Sequence, residues 1–110
     1  MTMRWNLPVL ALAAVAAVPA GAAQGVLKIG EINSYKAMPA FLEPYKKGMD
    51  LAVEQINAKG GLLGKKVQLV IRDDNGNPGD AVRAAEELYT REKIDVLTGS
   101  FLSHVGMALT

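Results

Sequence analysis

Three short runs dense in β-branched and other apolar residues alternate along this chain with stretches whose apolar residues recur every three or four positions. The runs are Val26–Ile32 (VLKIGEI), Lys66–Asp74 (KVQLVIRDD) and Lys93–Ser100 (KIDVLTGS), and each reads as a strand. From about Phe41 or Pro44 the pattern turns helical, with Tyr45, Met49, Ala52, Val53 and Ile56 on one stripe and Lys46, Lys47, Asp50 and Glu54 opposite. Pro44 suits a first turn, where its missing N–H costs nothing, and Gly60-Gly61 supplies the stop. After the second run, Asn77 is placed to cap a helix, Pro78 to open it and Asp80 to face its positive end. Ala81, Val82, Ala85, Leu88 and Tyr89 form that helix's apolar stripe, and Asp80, Arg83, Glu86, Glu87 and Arg91 its wet side. A last helix is expected to begin near Ser103.

This β-α-β-α-β-(α) order predicts an α/β fold: a parallel sheet with right-handed crossovers and helices on its faces. The natural arrangement puts the first strand in the middle, giving strand order 2-1-3. The winding direction then reverses between the first and third strands, and open sheets of this kind bind ligands there, beyond the carboxyl ends of the strands. The loops at that point are NSYKAMPA (residues 33–40) and GSFLSHVG (residues 99–106). The last helix has too few residues to cover the third strand, whose edge would stay open. The expectation is therefore an N-terminal portion of a larger protein.

The N-terminus reads as a leader. Arg4 precedes an unbroken apolar run, Val9–Val18, then Pro19 and the small-x-small triplet Ala20-Gly21-Ala22. A run of about ten residues is too short to span a bilayer, which takes about 20. Residues 1–22 are assigned to a signal peptide, and residues 23–110 to the truncated N-terminal part of a ligand-binding lobe. An exported chain without cysteine suits the bacterial periplasm better than a disulfide-stapled secreted domain.

Composition excludes several classes. Twelve basic against eleven acidic residues give +1, too balanced for a dedicated nucleic-acid binder. With a single histidine, His104, and no cysteine, no zinc site is expected; RDDNGNPGD is rich in oxygen ligands but lacks the spacing of a calcium loop, so no metal and no cofactor is expected. GGLLGKK has the wrong spacing for a phosphate loop, and Ser103 and His104, adjacent on a helix, point apart rather than forming a nucleophile–base pair. What remains is the polar turn around Ser100 and Ser103. Open N–H groups at a helix start beside a serine hydroxyl suit a carboxylate or other anion; the competing expectation is that Ser103 merely caps its own helix. Tyr35, Phe41 and Phe101 are aromatic residues near the same loops, available to stack on a solute or simply to pack.

Taken together, Gly48 followed by LAVEQINAKGG, then LLGKKVQLVIRDD, NPGDAVRAAEEL and DVLTGS with Ser103 beyond it, resemble the periplasmic solute-binding proteins of the branched-chain amino acid (Leu/Ile/Val-binding) family. The resemblance covers nearly all of the chain after the leader. It implies the type I two-lobe fold, in which two α/β lobes close over a solute delivered to an ABC permease, and no enzymatic activity. It implies that Ser103 binds a ligand α-carboxylate through hydroxyl and backbone N–H, that Phe41 lies beside the ligand, and that Ser34 and Tyr35 line the cleft. Ser100, Phe101 and His104 complete the candidate ligand-binding set. Where the family commonly has a small Ser/Thr-Gly pair, this chain has Ser34-Tyr35-Lys36-Ala37-Met38-Pro39, whose bulk and cation suit another carboxylate, an amide or an aromatic acid. The implied function is the extracytoplasmic binding component of an importer for amino acids or related small acids and amides. The alternatives are the ligand-binding region of a sensory receptor and an exported α/β enzyme.

Overall fold

The computed structural model describes Thr2 and residues 25–110; the predicted signal peptide lies outside the described residues. Six elements follow in the order β1 (Val26–Asn33), α1 (Pro39–Ala58), β2 (Lys66–Asp73), α2 (Pro78–Thr90), β3 (Val96–Gly99) and α3 (Ser103–Leu109). The three strands form one parallel sheet in the order β2-β1-β3, as the alternation predicts. β1 pairs with β2 along its whole length, from Val26 opposite Lys66 to Asn33 opposite Asp73. With β3 it pairs only from Ile29–Val96 to Ile32–Gly99. Asp95 extends that second ladder: its N–H donates to the Lys28 carbonyl, and its carboxylate accepts from the Lys28 N–H.

The pleat divides the sheet between two unequal layers. Ile32 and Val70 face the α2 and α3 side, where they pack with Ala81, Leu88, Ile94 and Val105 into the buried core. Arg72 also lies on that face and pairs with Glu87 and Glu92 of the α2 region. α1 lies on the other face, against β2. Its one fully buried residue is Leu42. Asn57 near its end clamps the start of β2, with its side-chain amide donating to the Val67 carbonyl and accepting from the Val67 N–H, both at 2.8 Å.

Element boundaries depart from expectation in two places. α1 begins at Pro39, not at Phe41 or Pro44, so Pro44 sits inside the helix. Pro44 removes the bond that the Ala40 carbonyl would accept, but both residues are exposed and water can take that carbonyl. The expected α1 stripe is also rotated: Tyr45 and Ala52 are exposed, while Met49, Val53 and Ile56 are half-buried, because the helix covers β2 rather than the middle of the sheet. The α1 stop is as expected. Gly61 N–H reaches back to the Ile56 carbonyl and Gly60 N–H to the Asn57 carbonyl, the paired closure that left-handed glycines make after a helix. A two-residue turn, Leu63-Gly64, follows between Leu62 and Lys65, both central residues having positive φ. It stands at the amino end of the strands.

Candidate functional site

All three loops at the carboxyl end of the sheet meet around the end of β1. β1 is central, so the chain departs to either side of it: β2 leads into α2 on one side and β3 into α3 on the other. Asp74 N–H donates to the Asn33 carbonyl, and Ser100 N–H to the Ile32 carbonyl, carrying each ladder one residue beyond its strand. Gly99 and Ser100 then turn the chain through positive φ, 116° and 74°. At Gly99 a side chain is impossible: a Cβ there would lie 2.1 Å from the Ile32 carbonyl oxygen and 2.9 Å from Glu31 Oε1. The turn hands the chain to α3 with Leu102, not Ser103, in the capping position.

That one-residue offset removes the capping role expected as the alternative for Ser103. As the first helical residue it makes no capping bond, and its hydroxyl has no hydrogen-bond partner among the described residues. The backbone N–H groups of Leu102, Ser103 and His104 likewise have no acceptor among the described residues. Ser103 is exposed and lines a cavity of about 420 Å³ with Leu97, Gly99, Ser100 and Phe101. On the far side of Phe101 a second cavity, about 330 Å³, is lined by Asn33, Phe41, Leu42, Tyr45 and Gly99. The Phe41 and Phe101 rings stack at 5.7 Å between centroids, 23° from parallel. Both are substantially exposed, 62% and 46%. The first turn of α1 and the β3–α3 loop, far apart in sequence, thus present an aromatic pair beside unpaired amide donors.

The other candidates are placed differently. The Ser100 hydroxyl donates to the Leu102 carbonyl at 3.3 Å, and it occupies the space a Cβ on Gly106 would need. His104 points toward the β2–α2 turn, its Nε2 3.3 Å from the Gly76 carbonyl. Ser34 is fully buried and donates to Asp74 Oδ1 at 2.7 Å. Tyr35 turns its hydroxyl inward to donate to Glu31 Oε2; its ring lines a third cavity, about 460 Å³, with Lys36, Lys46, Arg72 and Asp73.

Beneath these loops lie three polar residues absent from the candidate set: Glu31, Asn33 and Asp74, all buried. Glu31 accepts from Tyr35 and from Asn33 Nδ2, the latter at 2.8 Å. Burial pushes its carboxyl above the ordinary 4.5; the bonds from Tyr35 and Asn33 pull it back, and the nearby Asp74 charge raises it again. Burial, then Glu31, holds the Tyr35 phenol well above its usual range, so it stays a donor. Asp74 Oδ1 accepts from Ser34 and from the Gly76 N–H, while Oδ2 is buried without a partner among the described residues. The sequence signal for Glu31 was present: an acid following Leu27 and Ile29 on the same face of a strand. Among the described residues no cluster of three or more His, Asp or Glu could hold a metal ion, and no helix is long and apolar enough to cross a membrane.

Comparison with known proteins gives a consistent picture. A model of the periplasmic binding protein family matches residues 13–110. The Leu/Ile/Val-binding protein homolog 7 of Brucella abortus is 38% identical over 92 residues, which are 81% of this chain and 23% of that protein. Among solved structures, the branched-chain amino acid transporter substrate-binding protein LivJ of Streptococcus pneumoniae, in complex with isoleucine, matches with a TM-score of 0.69. It is 30% identical, over 76% of this chain and 24% of that one. A solute-binding protein of an ABC transporter from Rhodopseudomonas palustris, in complex with 3,4-dihydroxybenzoic acid, matches with a TM-score of 0.57 at 27% identity, over 76% of this chain and 23% of that one. The chain spans about a quarter of the length of these proteins.

Proposed function

This chain belongs to the periplasmic binding protein family, and from that premise we propose that it is part of the extracytoplasmic solute-binding component of an ABC importer, for an amino acid or a related small organic acid or amide. The reading is carried by one observation: a serine hydroxyl and three successive backbone N–H groups stand without partners among the described residues at the carboxyl edge of the sheet, where its winding reverses. Amide donors fixed by the fold lose little entropy on binding and can replace the water around a carboxylate. The solute is held, not transformed. Ser103 and the amides around it receive the carboxylate, and the Phe41–Phe101 pair flanks the rest of the molecule.

In this reading residues 23–110 are the first part of one lobe, residues 1–22 are a signal peptide directing the protein to the periplasm, and a second lobe closes over the solute. Closure is what the permease senses. Isoleucine and 3,4-dihydroxybenzoic acid, the ligands in the two solved relatives, mark the range to search.

The test is a thermal-shift screen of the full-length protein against amino acids, their amides and aromatic acids, followed by calorimetry on the hits. Saturable binding of one of these without turnover is expected. Ser103→Ala should weaken it about tenfold, the worth of one hydrogen bond to a charged group. Turnover of the bound compound, or binding indifferent to Ser103, would overturn the reading.

A further inference from the structure

We propose that Asn33 is a positioning residue, whose side-chain amide, backed by Glu31, fixes the direction in which the Phe101–His104 segment presents its open N–H groups. The proposal rests on the solute-binding reading and extends it to the buried residues beneath the loops.

Asn33 ends the central strand and has neighbours on both sides. Its main-chain carbonyl is taken on the β2 side, by Asp74 N–H at 3.1 Å. On the β3 side the main-chain ladder ends one residue earlier, with Ser100 N–H on the Ile32 carbonyl. The next N–H, that of Phe101, would have no backbone acceptor. Asn33 supplies one from its side chain: Oδ1 accepts Phe101 N–H at 2.7 Å. The Phe101 amide is therefore the last fixed donor before the open donors at Leu102, Ser103 and His104.

The other half of the same planar amide is equally committed. Asn33 Nδ2 donates to Glu31 Oε1 at 2.8 Å, and Glu31 Oε2 accepts from Tyr35. Asn33 is 3% exposed and Glu31 0%, so water cannot replace either bond. A chain of bonds thus runs from the Tyr35 loop through Glu31 and Asn33 to Phe101, joining the loop that leads into α1, where Phe41 sits, to the loop that carries Phe101. Position 33 needs an acceptor toward Phe101 and a donor toward Glu31 in one short side chain. Among residues of this size, asparagine alone carries the acceptor and the donor on two separate atoms, aimed in different directions. Aspartate would set a second acceptor against the Glu31 carboxylate; alanine would leave Phe101 N–H and Glu31 Oε1 both unpaired.

This geometry allows a test by exchange of roles. In Asn33→Asp two carboxylates face each other. Adding Glu31→Gln restores the pattern with donor and acceptor swapped. The side-chain amide introduced at position 31 would donate its N–H to the carboxylate at position 33, which keeps accepting from Phe101, while its oxygen accepts from Tyr35. Neither volume nor net charge differs materially from the starting pair.

In the full-length protein, amide hydrogen exchange at Phe101 and calorimetric titration with L-isoleucine and 3,4-dihydroxybenzoate would be measured at neutral pH. Asn33→Asp is expected to speed Phe101 exchange about tenfold and weaken binding of either probe by a similar factor, the loss of one buried hydrogen bond. The Glu31→Gln/Asn33→Asp double variant is expected to recover both, which a merely bulky or charged filler role would not allow. Unchanged Phe101 exchange in Asn33→Asp overturns the proposal, as does unchanged probe binding alongside faster exchange. Should Asn33→Asp not fold, the double variant decides: wild-type protection of Phe101 supports the proposal, and fast exchange or a failure to fold overturns it. If neither probe binds the wild-type protein, the solute-binding reading fails for these acids, while Phe101 exchange in the three proteins still tests the role of Asn33.

Discussion

Glu31 and Asp74 are enclosed at the same end of the sheet, and among the described residues neither is paired with a cation. The groups facing Glu31 are the Asn33 amide and Tyr35 phenol, which donate to it and only partly offset its burial, the Tyr45 phenol and the Asp74 carboxylate; no cation is among them. The consequence for pH follows from the direction of its shift. A carboxyl raised above 4.5 by burial binds its proton more tightly in the folded protein than in the unfolded one. Its stabilising contribution is complete below 4.5 and is lost as pH rises through the raised value. Wild-type stability should therefore fall, relative to Glu31→Gln, as pH goes from 4.5 toward neutrality, as urea unfolding of both full-length proteins across that range would reveal. A flat difference between them would refute it.

Gly99 gives a second residue-scale expectation. Its φ of 116° is open to glycine, and a methyl group there would collide with the Ile32 carbonyl oxygen at 2.1 Å. Gly99→Ala should cost at least about 2 kcal/mol in unfolding free energy. It should also displace the Glu31 carboxylate, visible as faster exchange at Phe101. These residues show where reading the sequence stopped. Glu31 looked like one polar position in a strand, and Asn33 and Ser34 like loop. Nothing in one-dimensional spacing tells that Asn33 meets Phe101, sixty-eight residues away.

At the level of elements, the periodicities carried the identity and order of all six, but not their faces or ends. On α2 the expected stripe included Val82 and Tyr89, which are 36% and 49% exposed; Ala84 packs toward the core instead. Three alanines, at 81, 84 and 85, let the helix turn a small face to the sheet, and the sequence pattern tolerates that rotation as well as the one expected. The start of α2 was legible because its chemistry is local. Asn77 caps it, accepting Asp80 N–H at 3.1 Å, with Pro78 at the first position. Asn77→Ala should lower stability by about 1 kcal/mol, measured by thermal unfolding, whereas Asn77→Asp should be nearly silent. The start of α3 was less legible: Ser103 has the residue type of a cap, yet Leu102 fills that place, and the hydroxyl stays free for other use.

For the molecule as a whole, sheet order followed from the β-α alternation, and a single rule about winding then pointed to the loops of the candidate site. The two faces are covered unequally. The α2 and α3 face holds the buried core, while on the α1 face Val96 and Phe41 stay open at 47% and 62% exposure. On the two-lobe proposal, one set of donors with half a wall around it holds a small acid poorly. A protein consisting of residues 25–110 should give no micromolar binding of the acid that the full-length protein takes up, by calorimetry under matched conditions. Equal affinity would mean that these residues form a complete receptor.

The turn at Leu63-Gly64 carries a practical corollary. Its tip, Leu63, is 99% exposed and sits at the amino end of the strands, the length of the sheet away from Phe101 and Ser103. Cargo hung there, whether a dye, a spin label or a surface tether, would ride on the rigid frame without shading the mouth. That makes it a natural handle for immobilising the protein as a sensor.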